Sequence, residues 1–133
     1  MKPLAIAILF LSSLCLASTS IGDPQNQPSR KVISLDVPGK SDLPLLSGPP
    51  ETVTMRAGRV ILAPGKSVGI HSTGENEEVL VILEGQGEMR IKGGGILKLS
   101  KSVIAYCPPR TEHDVFNTGT NILSYIYIVA KAR

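Results

Sequence analysis

Beyond Pro50 no stretch carries apolar residues at the three-and-four spacing of a buried helix face; short apolar runs recur instead, each broken by glycine or proline. That rhythm favours strands joined by turns over helices. Residues 52–62 end at Ala63-Pro64-Gly65, residues 68–72 lead into the polar loop 73–76, and residues 79–83 stop at Gly85-Gln86-Gly87. Residues 88–91 turn through Gly93-Gly94-Gly95 into 96–99, and 103–107, 113–117 and 122–130 complete the series. Many short strands at this spacing predict an all-β sandwich or barrel. Ahead of them, residues 31–37 alternate well enough for a first strand, while 38–50 hold Pro38, Pro44, Pro49 and Pro50 and read as a loop or edge covering.

Only two histidines occur in the 133 residues. His71 lies in Gly65-(five residues)-His71-Ser72-Thr73-(four residues)-Glu78-(six residues)-Gly85, and His113 in Pro108-Pro109-Arg110-Thr111-Glu112-His113-(three residues)-Asn117. Imidazole and carboxylate groups projecting from facing strands are suited to holding a divalent metal. Side chains two apart on a strand share a face, so His71 and Thr73 would point one way, Glu78 would share its face with Leu80 and Ile82, and His113 with Val115 and Asn117.

The spacing resembles the two signature motifs of the cupin superfamily, G-x5-H-x-H-x(3 or 4)-E-x6-G and G-x5-P-x-G-x2-H-x3-N, over roughly Gly65 to Asn117. Three positions depart from it. Thr73 replaces the second histidine, Ser102 the opening glycine of the second motif, and Arg110 the glycine of P-x-G. The resemblance implies a cupin-type double-stranded β-helix, a jelly-roll barrel, in which His71, Glu78 and His113 converge in the lumen. Those three would hold a divalent transition metal (Fe, Mn, Ni, Cu or Zn), leaving open positions for a small-molecule ligand or substrate. Such a site suits a dioxygenase- or isomerase-like enzyme. The alternative is a metal-free small-ligand-binding or structural cupin with a decayed site, marked by Thr73. Fold membership does not choose between them, and no catalytic residue is identified.

Around this set, Thr73, Tyr125, Tyr127 and Arg110 are candidate pocket residues. Glu75 and Asn76 could fold back to replace the lost imidazole, Glu77 should face away from Glu78, and Asn117 more readily secures a turn than performs chemistry. Val79, Val81 and Leu83, on the opposite face of the Glu78 strand, are a candidate homodimer surface or a second core layer.

Residues 1–20 carry a single Lys2, an apolar run from Leu4 to Leu11, and small residues ending Ala17-Ser18-Thr19-Ser20. This is the layout of a secretory signal peptide cleaved after Ala17 or Ser20, too short and weakly flanked for a lasting membrane span. The bulky Leu14 before Cys15 argues against a lipoprotein. Residues 21–49 then form a flexible lead with one edge strand, and 50–133 the cupin domain, in a secreted or periplasmic protein. After processing, Lys and Arg number thirteen against eleven Asp and Glu, and the basic residues are scattered. That excludes a polyanion partner, nucleic acid included. Cys107 is then the sole cysteine, so an intrachain disulfide is impossible, and its apolar neighbours mark it as a buried, inert thiol.

Overall fold

The computed structural model describes residues 28–133, and residues 1–20, expected to be a signal peptide, lie outside them. Among these residues every regular element is a strand: β1 (Asp42–Ser47), β2 (Arg56–Leu62), β3 (Asn76–Glu84), β4 (Gln86–Ile91), β5 (Ile96–Ser100), β6 (Ile104–Cys107), β7 (His113–Phe116) and β8 (Leu123–Lys131). All named pairings are antiparallel. They form a five-stranded sheet in the order β1-β2-β8-β3-β6 and a three-stranded sheet in the order β5-β4-β7.

The two inner faces enclose one core. Alternation in β3 buries Glu78, Leu80 and Ile82, while Val79, Val81 and Leu83 stay half-buried on the outer face. Leu80, Ile82, Leu123 and Tyr125 from the larger sheet join Met89, Leu99 and Val115 from the smaller one. Asn117, completely buried, closes one end: its Nδ2 donates to the carbonyls of Leu62 and Asn121, and its Oδ1 accepts from the Gly119 N–H. The amide thus satisfies three backbone groups that burial would otherwise orphan.

Three segments differ from their expected form. Residues 31–37 make no strand, and Val32 is fully exposed; the Arg59 guanidinium instead donates to the carbonyls of Leu35, Val37 and Lys40. The first strand is β1, inside the proline-rich stretch and ahead of Pro50. It tolerates Pro44 because it is an edge strand, and its register shifts between Pro44 and Leu46. The expected strand at 68–72 survives only as bridges of Ser67 to Phe116 and His71 to His113, antiparallel to β7. Between them the pairing slips by a residue, where Gly69 takes φ +85°. The slip is a bulge, and it changes which side chains share a face. Val68 and His71, rather than Gly69 and His71, therefore face inward together.

Gly85 has φ +85°, and a Cβ there would lie 2.1 Å from the Ile122 carbonyl oxygen. Ser102 and Arg110 hold φ of 69° and 59° without glycine's freedom. The two kinds of position should respond oppositely. Gly85→Ala is expected to cost about 3 kcal/mol or more, whereas Ser102→Gly should gain about 0.5–1 kcal/mol by relieving left-handed strain. Urea unfolding checks both; a neutral Gly85→Ala would contradict the geometry.

Candidate metal centre

The second imidazole is placed by backbone pairing. His71 N–H donates to the His113 carbonyl at 2.9 Å and His113 N–H to the His71 carbonyl at 2.8 Å, so the two residues face one another directly. Their ring centroids lie 4.5 Å apart. Glu78 reaches the same point from β3 in the opposite sheet. One donor atom from each of His71, Glu78 and His113 falls within 4.8 Å of the others.

Each imidazole is oriented from behind. His71 Nδ1 lies 2.9 Å from the Gly69 carbonyl oxygen and His113 Nδ1 3.1 Å from that of Thr111. An N–H at Nδ1 donates to each carbonyl and leaves Nε2 as the lone-pair nitrogen, the arrangement metal-binding histidines use. Nε2 of His113 and Oε2 of Glu78 are buried 3.0 Å apart, and neither has any other protein partner. With His113 neutral, two lone-pair atoms at that separation would repel in a bare interior, so the pair calls for a proton or a cation between them. They fit a shared cation, and with Nε2 of His71 they form a two-histidine, one-carboxylate set for a divalent transition metal.

Electrostatics agree with this. The His113 pKa is raised above its ordinary value, chiefly by the Glu78 carboxylate and against the opposing effect of burial. Cys107 Sγ sits 3.2 Å from His113 Nδ1, a contact invisible in the sequence. Burial, then the Glu78 charge, pushes the thiol pKa up, which favours a neutral packing group over a reactive thiolate.

A cavity of about 270 Å³ opens beside the set, lined by His71 and Glu78 with Thr73, Tyr125, Tyr127 and Arg56, and walled by Val60, Val68, Val115 and Val129. Tyr125 serves the core as well as the cavity, and burial raises its pKa far above the ordinary tyrosine value. Thr73 lines the cavity, but its hydroxyl donates to the Asn76 carbonyl at 2.8 Å and locks the turn into β3. The Asn76 side-chain amide donates back to the Thr73 carbonyl, which holds it in the turn. Glu75 is paired with Arg110 at 3.2 Å on the surface, which takes both away from the site. Glu77, facing outward, accepts a hydrogen bond from the Tyr106 hydroxyl.

The cavity's cation is therefore Arg56, which sequence reasoning did not single out. Its parity in β2 with Val60 and Leu62 is the signal that could have found it. Arg56 pairs with Val129, Val129 with Glu78, and Glu78 with Cys107, forming one cross-strand row on the inner face.

The family model for the cupin domain matches residues 58–129, which spans both motifs and the whole donor set. The chain belongs to the cupin family. Solved structures agree in fold. A cupin protein from Bacteroides fragilis aligns with 78% of this cupin and 87% of its own chain at 21% identity and a TM-score of 0.62. An RmlC-like cupin with a double-stranded β-helix fold, from Methanocaldococcus jannaschii, aligns over 77% and 91% at 18% identity and 0.64. A protein described as a predicted oxalate decarboxylase, from Thermotoga maritima, is similar at 25% identity and 0.54, over 58% of this cupin and 66% of its own length. A comparison with curated proteins found no match.

Loading of a cation should displace the proton that the raised His113 pKa retains. Because that value is raised, the proton-linked stabilisation of the metal-free fold is full below about pH 6.5 and is lost as pH climbs through the folded-state value. Metal affinity should rise over the same window, by up to about tenfold per pH unit for each proton displaced. Calorimetry in buffers of different ionisation enthalpy reads the proton count directly. A metal affinity flat between pH 5 and 8, about the range over which histidine titrates, would contradict the assignment.

Proposed function

We propose that this cupin is an exported, metal-dependent protein that holds one divalent transition metal on His71, Glu78 and His113 and binds a small oxygen-bearing ligand in the adjoining cavity. The observation that carries this is the buried pair of His113 Nε2 and Glu78 Oε2, 3.0 Å apart and with no other protein partner, completed by His71 within 4.8 Å. When bound, the metal supplies Lewis acidity toward a ligand oxygen, or redox chemistry if it is iron. The protein's part is orientation: Gly69 and Thr111 carbonyls fix the rings, and the valine walls limit water around the ligand. The tyrosine hydroxyls of Tyr125 and Tyr127 are available to hydrogen-bond it.

Elemental analysis of the mature protein, purified without an affinity tag, tests this. About one iron, manganese, nickel, copper or zinc per chain is expected, falling below about a tenth in His71→Ala or Glu78→Ala. Absence of metal from the wild type after reconstitution would sink the proposal and leave the metal-free ligand-binding reading.

Export rests on the layout of residues 1–20, and self-association on the outer face of the larger sheet. There Tyr106 and Ile104 are exposed, with Val79, Val81, Ile126 and Ile128 beside them across β3 and β8. This apolar patch reaches the edge strand β6 and, in our proposal, is covered by a second copy of the chain. Native mass spectrometry of the exported protein reads both points: subunits beginning at Ser18 or Ile21, assembled as dimers that Val81→Arg converts to monomers. Subunits beginning at Met1, or monomers in the wild type, would refute the corresponding half.

A further inference from the structure

The cavity has a second pole. Its lining contains four valines, two tyrosines and a threonine, and apart from the metal-site residues its one charged side chain is Arg56. The ion pairs among the described residues join Lys31 to Glu51, Arg90 and Lys98 to Glu88, Lys92 to Glu112, Arg110 to Glu75, and His113 to Glu78; none involves Arg56. Arg56, itself exposed, therefore borders a largely apolar cavity with no carboxylate partner among the described residues, although Glu51 and Glu88 neutralise cations elsewhere on the same small fold.

The root of the side chain is positioned by strand pairing and packing. Arg56 pairs with Ser47 on one side and Val129 on the other, and its stem lies against the Gly48 backbone, where a Cβ would meet Arg56 Cγ at 3.1 Å. Residues directly opposite across antiparallel strands share a face, so Arg56 and Glu78 project from the two ends of the row Arg56–Val129–Glu78. Two strand spacings separate their backbones, roughly 10 Å. Both side chains border the same cavity, with Val129 between them as an apolar floor.

We infer that Arg56 is the specificity-determining residue of this site and that the ligand is a short dicarboxylate. One carboxylate lies at the metal-binding pole, the other accepts hydrogen bonds from the Arg56 guanidinium, and the carbon chain crosses Val129. This inference rests on the metal-binding reading of His71, Glu78 and His113. Charge supports a dianion: a divalent cation against the Glu78 carboxylate leaves one net positive charge, and Arg56 adds another. Size supports a short one, because about 270 Å³ lies at the small end of the range for small-molecule sites. Guanidinium suits the role since its planar fork meets a carboxylate with two parallel hydrogen bonds, which a lysine ammonium cannot reproduce.

The test loads the mature full chain with cobalt(II) and titrates succinate, its monoamide succinamate, and butyrate, reading the cobalt absorption and the heat of binding. Succinate should bind about tenfold or more tightly than the two monoanions. Arg56→Gln should bring succinate down to their level while cobalt stoichiometry is unchanged, and Arg56→Lys should restore part of the preference. Equal binding of all three probes by the wild type, or a preference that survives Arg56→Gln in cobalt-loaded protein, would overturn the inference and leave the metal site standing. If the wild type takes up no cobalt yet prefers succinate through Arg56, the metal reading fails and the anion pole of the cavity stands.

Discussion

The reciprocal hydrogen bonds between the backbones of His71 and His113 are the constraint on which the site depends. They bring one imidazole from an otherwise irregular segment opposite another on β7, and the larger sheet then needs to contribute a single carboxylate. The bulge at Gly69 sets the facing of His71, and the Gly69 N–H donates to Asp114 Oδ1 at 2.9 Å, which ties the bulge to β7. At the other end of the same segment, backbone hydrogen bonds join Gly65 to Asn117 and Asn117 to Lys66. The buried Asn117 amide pins that end in turn. Few regular ladder bonds hold this segment, so specific side chains at its two ends define its path.

How much of this was legible from residues alone follows from local regularity. In β3 the period of two is unbroken, and Glu78, Leu80 and Ile82 fall on the buried face as alternation requires. The segment before it could not be read that way, because one residue of bulge at Gly69 exchanges Gly69 for Val68 as the inward neighbour of His71. Residues 31–37 have the apolar alternation of a strand but no partner, and their carbonyls go to the Arg59 side chain instead. Pro44 concealed β1, since proline argues against a central strand and says little about an edge one. Arg110 drew attention as a cation in a motif position; its pairing with Glu75 depends on two loops meeting, which no single stretch of sequence records.

The departures from the family motifs have distinct physical consequences. Thr73 lines the cavity while its hydroxyl is engaged by the Asn76 carbonyl, so the candidate site offers three protein donors. Ser102 and Arg110 keep the left-handed backbone that glycine would adopt more cheaply, so turn geometry is preserved at some cost in strain. The resulting site is asymmetric. His71 is exposed at the open end, Glu78 and His113 are buried behind it, and Arg56 stands across the valine floor. A ligand entering from solvent would meet the exposed His71 and Arg56 first and the buried Glu78 and His113 after them.

X-ray absorption at the edge of the bound metal tests the central claim most directly, because it counts imidazoles around the ion without depending on activity. The geometry predicts two histidine nitrogens and carboxylate oxygen in the wild type, at about 2.0–2.2 Å if the ion is zinc, and one imidazole in His71→Ala. A bound metal with no imidazole scattering, or with the same count after His71 is removed, would contradict the site described here.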